Sequence, residues 1–340
     1  MLYDAGASWA LSWSVRGCWD ALQAPPPTSS AADLRAFDGL RVLCMMCVII
    51  EHVCWITTQT YLTDTRRLEL TRRAADAMAM ANSTLMVQIF FLMSSFLLAH
   101  KLLLQRARGQ EESAVYTFFD TMLNRIIRYL AADMQLYAVC LVLTLALRRF
   151  RRGALVVLTA LLAGSILLVG VLAYYWHLVP NYVMHRPESV RVTYRGAASF
   201  NMLYQSPLGN APGALTGVLL AHAHHYIRSS HTRLGDYKVH CAASVGSVLS
   251  WRGWAVWARL SFGALLLHMP INKSLVAARL APSQLDRQSA ILEWFGVASV
   301  SYLAALPLAL LVELPFQRLH RALQRHKKPA VQENGQKTDM

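Results

Sequence analysis

The chain has 340 residues, of which 55% are hydrophobic and only 15% charged, and its mean hydropathy is +0.32. A water-soluble fold of this length has no core large enough for so much apolar side chain, so the composition excludes that class and points to an integral membrane protein. The net charge of +14 sits in short basic blocks beside apolar runs, as in TRRLELTRR, RRFRR and residues 318–328, which is the pattern of membrane-flanking loops and not of a nucleic-acid module.

In chain order, residues 1–32 hold ASWALSWSV and then APPPTSS, with no basic start before a clean apolar run, and are expected to form a disordered or interfacial leader and not a signal peptide. The first span is expected at 40–62, with Asp38, Arg41, Met45, Val48 and His52 on one stripe. A charged loop over 63–82 ends at Asn82 and Ser83, a helix-start signal for a second span at 85–104. The connector RARGQEES precedes a segment in which Arg125 and Arg128 share a helix face, and Asp133 enters the third span at 130–147. RRFRR makes a short turn into the fourth, at 154–179. Residues 181–212, with Pro187, Pro207 and Pro212, form the longest polar connector. Weaker runs at 213–227 and 254–271 and a strong one at 291–312 bring the count to about seven. The runs lack the two-residue alternation of barrel strands, so the expected fold is all-α, a polytopic membrane helix bundle over 33–320 with a basic polar tail over 321–340. The lysine and arginine balance between alternate loops is too even to set an orientation.

The residues that carry chemistry are the polar ones inside apolar runs. Arg41 and His52 are eleven steps apart, which returns them to one helix face about 16 Å apart along the axis. Such groups are costly in lipid and are kept there mainly for function. The arginine keeps its proton and demands an anion, either Asp38 one turn away or a ligand such as a phosphate. A membrane histidine serves as proton relay, metal ligand, packing residue or general base. Arg125 and Arg128 form a second basic pair, read either as a juxtamembrane anchor or as a phosphate clamp. His222 and His225 of HAHHY share a face but lack acidic or cysteine companions, so no metal is expected there. Cys44 and Cys47 form a C-x-x-C inside a span and read as small packing residues.

These segments together resemble a known family. LRAFDGLRVLCMMCVIIEHV is similar to the first membrane helix of the acyltransferase-3 superfamily, in which an Arg, ten residues and a His form the proposed reaction motif. IFFLMSSFLLAH resembles its FFxLSGFLL helix, and RIIRY its R-x-x-R. YLAADMQLYAVCLVL, APGALTGVLLAH, WARLSFGALLLHMP and VELPFQRLHRAL are similar, in this order, to segments of the nose-resistant-to-fluoxetine branch. The resemblance implies transfer of an acyl group, other than amino-acyl, from a donor such as acyl-CoA to a hydroxyl of a lipid or small molecule. By position, His52 would be the general base and Arg41 would hold a donor phosphate or stabilise charge on the thioester carbonyl. Arg125 and Arg128 would bind donor phosphates, and His268 and Glu313 would be structural or secondary polar groups. The implied partners are membrane lipid, the donor and an acceptor, in the plasma membrane or the endoplasmic reticulum.

The chain also departs from that pattern. Glu51 stands where the family has Gly before the His, Ser95 replaces the Gly of LSGF, and Asn210 stands where an Arg precedes APGA. RIIRY runs directly into LAADMQLY, and 226–250 is too short for two helices, so fewer spans are expected than the family has. A cysteine-bearing N-terminal domain like that of the branch is not seen either. Two other readings therefore stand beside the enzyme: a non-catalytic lipid or small-molecule transport protein using Arg41, Glu51 and His52, or an inactive truncated relative.

Overall fold

The computed structural model describes residues 11–24, 34–73, 84–109, 113–126, 131–179, 199–229, 240–284 and 286–319. In order they form α1 (Val15–Gln23), α2 (Ala36–Thr57), α3 (Thr65–Arg73), α4 (Thr84–Ala107), α5 (Ala114–Ile126), α6 (Ala131–Leu147) and α7 (Arg151–Tyr175). A π-helical turn (Phe200–Gln205) leads into α8 (Pro207–Ser229), followed by α9 (His240–Leu249), α10 (Trp254–Ala277), α11 (Arg287–Leu308) and a second π-helical turn (Ala309–Glu313). No strand occurs among the described residues; one isolated bridge joins Leu62 to Ser283. The fold is all-α, as the lack of alternation requires.

Five stretches are long and apolar enough to cross a bilayer: Ala36–Thr57, Leu85–Ala107, Arg152–Tyr175, Trp254–Ala277 and Arg287–Leu319. The chain is an integral membrane protein. Two of the expected spans are helical but fall outside this set. The apolar part of α6, Met134–Leu147, is short, and α8, at 23 residues, has its hydropathy lowered by Asn210, His222, His224 and His225.

The chain divides into two compact units, one of Met1–Val42, Val245–Ala277 and Phe295–Met340, the other of Leu43–Ser244 and Ala278–Trp294. In the first, α1 starts at Ser14, whose hydroxyl accepts from the Gly17 N–H at 3.2 Å. Its last carbonyls have no helical partner of their own, and Arg259 of α10 satisfies them by donating to Ala21, Leu22 and Ala24. Cys18 and Leu22 are buried beneath it, and Trp13 meets Phe316 edge-on at 5.4 Å. Part of the expected leader is thus a docked helix. Gly263 of α10 lies against Ala305 of α11, beside a hydroxyl contact of 3.1 Å between Ser261 and Tyr302.

The second unit is organised by α8, which packs on α4, α6, α7 and the preceding π turn. Gly213 and Gly217, four residues apart, let its backbone touch α4. A Cβ at Gly217 would strike the Ser95 hydroxyl and the Leu92 carbonyl, and one at Gly213 would strike Gln88. Where lipid tails compete for apolar surface, small residues at such spacing bring backbones close enough for dispersion to hold helices together. By contrast, α7 buries Ala154 and Leu158 on one stripe and leaves Ile166, Leu167 and Val171 exposed, as suits a helix long and apolar enough to meet lipid. The junction after α2 is closed by backbone: Ser283 N–H donates to Tyr61 at 2.7 Å and Thr63 N–H to Ser283 at 3.0 Å. Asp286 then caps α11 by accepting from the Ser289 N–H at 2.7 Å, and that bond, more than the Arg67 guanidinium 3.8 Å away, holds its carboxyl below the usual range.

A methyl group at Gly217 must push two backbones apart, an overpacking that costs about 1–3 kcal/mol. Gly217→Ala should lower the thermal unfolding temperature in detergent. Gly164→Ala, on α7 where nothing lies within 4 Å of an added Cβ, should leave it unchanged or raise it.

Candidate functional site

Because α2 is helical without interruption from Ala36 to Thr57, Arg41 and His52 do fall on one face, roughly 16 Å apart along the axis. Both are half-buried. That separation is too long for both side chains to act on one atom, so each can serve only a different part of an extended ligand. The anion nearest in sequence to Arg41 is Asp38, and the charges of Arg41 and Arg259 both act on it. The His52 ring lies 6.4 Å from that of Trp55, one turn on, tilted by 60°.

Glu51, the carboxylate that intrudes beside the histidine in sequence, belongs to another side of the helix. Successive residues diverge by about 100° around an α-helix, so neighbours in sequence do not face each other. Glu51 is buried, 7% exposed, and its charge acts on the Tyr204 hydroxyl. Burial first, and the Glu51 carboxylate second, push that phenol above its ordinary range.

Tyr204 belongs to a polar node that no local sequence pattern marks. The Asn210 amide donates to the Tyr204 carbonyl at 2.9 Å and to the Ser206 carbonyl at 3.0 Å, while its own oxygen accepts from Gln88 of α4 at 2.8 Å. Gln88 also donates to the Gly209 carbonyl at 3.1 Å. A π-helical turn leaves carbonyls that the α-helical ladder does not reach, and Asn210 takes up two of them. The one signal in the sequence is a departure: Asn210 where the resemblance expects Arg. Ser95, the other departure on α4, bonds back to the carbonyls of Phe91 and Leu92 at 2.9 and 3.1 Å and so packs under Gly217 without an unpaired hydroxyl.

The remaining candidates divide. Arg125 lies near the end of α5, its side chain outside the described residues, and Arg128 lies outside them altogether. His268 is buried in α10 with Nδ1 3.2 Å from the Ala264 carbonyl, a packing arrangement. Glu313, in the second π turn, accepts from Gln317 at 3.0 Å. His222 and His225 line a cavity with arginines, and among the described residues no group of three or more histidine, cysteine or acidic side chains is placed to hold a metal ion.

No family model matches this chain, and no curated protein or solved structure is significantly similar to it.

Replacing Asn210 by Leu would strand the part-buried Tyr204 and Ser206 carbonyls, at about 1–3 kcal/mol for each group left unpaired, and would leave the Gln88 amide with its bond to the Gly209 carbonyl. Asn210→Leu should therefore unfold at clearly lower temperature than the wild-type chain in detergent, and Gln88→Leu, combined with it, should add less than its own single effect.

Proposed function

We propose that this chain is a multi-pass membrane acyltransferase of the acyltransferase-3 type, nose-resistant-to-fluoxetine-like, which moves an acyl group from a donor such as acyl-CoA to a hydroxyl of a lipid or small molecule. The observation that carries the reading is the pair of Arg41 and His52 on one face of an apolar helix, in the spacing of the family's reaction motif, with Glu51 turned to another side. In this reading His52 takes the proton of the acceptor hydroxyl while its oxygen attacks the carbonyl carbon of the thioester. The carbon–sulfur bond breaks, and the imidazolium returns the proton to the departing thiolate. Arg41, about 16 Å along the axis, holds a phosphate of the donor instead of the reacting carbonyl, because a single helix face cannot bring both side chains to one atom. Arg125 and Arg128 are assigned to further donor phosphates on the strength of the R-x-x-R resemblance.

A second reading, a non-catalytic lipid or small-molecule transport protein, draws support from prolines and a π turn in the spanning helices. Pro270 lies inside α10, and Pro307 near the end of α11 is followed at once by the π turn Ala309–Glu313. Departures from the α-helical ladder like that π turn are common where helices line substrate paths in transporters.

Purified protein supplied with a labelled acyl donor and a mixed pool of lipid acceptors decides between them. Under the enzyme reading His52→Ala lowers transfer by about 10² or more, while Arg41→Ala raises the donor concentration needed for half-maximal rate. Equal consumption of donor by wild type and His52→Ala would remove that reading. Uptake into proteoliposomes without donor consumption would establish the transport one.

A further inference from the structure

Within the first compact unit, α1 is tied down near both of its ends by arginines that belong to spanning stretches. Arg259, in the second turn of α10, donates to the carbonyls of Ala21, Leu22 and Ala24 at the C-terminal end of α1. Arg318, at the far end of the stretch Arg287–Leu319, donates to the Ser14 carbonyl at 3.4 Å and lies over Gly17, where a Cβ would strike its guanidinium. A helix of nine residues is only about 14 Å long, so the start of one spanning stretch and the end of another come together beneath it. That is the level at which a bilayer passes from hydrocarbon to headgroups.

At about 100° per residue, the side chains of α1 fall into three sectors. Cys18 and Leu22 are buried against the unit. Val15 and Trp19, four residues apart, make a second sector, apolar yet 51% and 41% exposed. Arg16, Asp20 and Gln23 make the third, exposed and polar. A helix that met only core and water would need two sectors, and the apolar pair between them calls for a third surrounding.

Single apolar residues on a surface are ordinary, and that explanation must be subtracted first. Here they are gathered at one end of the spanning stretches. Trp13, just before α1, meets Phe316 edge-on at 5.4 Å, and the two remain 44% and 45% exposed. Trp251 and Trp257, on either side of the start of α10, are exposed as well. Tryptophan suits the boundary of a bilayer, since its ring is apolar while its N–H seeks a hydrogen-bond partner.

We propose that α1 is an interfacial anchor, lying in the plane of the bilayer boundary with Val15 and Trp19 among the outermost acyl carbons and Arg16, Asp20 and Gln23 turned to water. The partner is the bilayer in which α10 and the stretch Arg287–Leu319 stand, so the surface continues one already given over to lipid. Arg16 and Asp20, both exposed on the polar sector, carry opposite charges, so apolar contact and not attraction to anionic headgroups holds the helix there. The assignment uses neither Arg41 nor His52 and stands apart from the acyl-transfer reading.

The test places the photoreactive residue p-benzoylphenylalanine at one position of α1 at a time, in the full chain reconstituted into phosphatidylcholine vesicles. After illumination, adducts are identified by mass spectrometry. Trp19→p-benzoylphenylalanine and Val15→p-benzoylphenylalanine should each form adducts with lipid acyl chains, several-fold more than Asp20→p-benzoylphenylalanine on the polar sector. All three positions are exposed, so the replacements do not threaten the fold. Lipid adducts at Asp20 equal to those at Trp19 overturn the proposal, as does their absence at Trp19. So does a cross-link from Trp19 to a second copy, or to another part of the same chain, in place of lipid.

Discussion

The close approach of α8 to α4 is the contact on which the larger unit depends. In lipid, apolar side chains gain little by leaving one hydrocarbon for another, and helices stay together through close packing and internally paired polar groups. Gly213 and Gly217 provide the first by letting backbone touch backbone, and Gln88 with Asn210 provides the second at the same seam. The seam also sets a register. With Gly217 locked against Leu92 and Ser95, the start of α8 is placed to satisfy the π turn before it, and its end brings His222 and His225 alongside Arg106.

A second consequence concerns how charge is carried through an apolar interior. Asp38 lies one turn before Arg41, Glu51 acts on Tyr204, and Arg279 holds Glu293 at 2.9 Å. Asp38 and Glu293 thus each have a cation acting on them, whereas Glu51 is buried where its charge opposes ionisation of the Tyr204 phenol. His52 differs in kind from His268. The latter is enclosed and bonded back to its own helix, whereas the former is half-buried beside an aromatic ring. Burial is therefore what distinguishes the two histidines.

Much of the fold was legible in advance because hydropathy reports directly on the cost of exposing peptide groups to lipid. The runs around Arg41, after Asn82 and after Arg151 became helices of spanning length, and the weak run beginning at Trp254 proved long enough. The run at 213–227 shows where composition misleads. Its glycines and histidines depress hydropathy, yet α8 is the helix on which α4, α6 and α7 pack, since small residues and paired polar groups are what a membrane interior selects where helices touch. The pairing of Arg41 with His52 was readable because both lie on one helix and need only the 3.6-residue period. The node of Tyr204, Asn210 and Gln88 was not, since it joins residues over a hundred positions apart in sequence.

By itself, then, the amino-acid order determined what depends on local period and solvent preference: the all-α class, the membrane spans and the shared face of Arg41 and His52. Tertiary structure alone decided which way Glu51 turns, that Asn210 serves a π turn, and that RRFRR, Arg106 and HAHHY surround one cavity. Those outcomes follow from the register of one helix against another. A register is fixed by contacts such as Gly217 against Leu92, between residues far apart in the chain, and no local pattern encodes it.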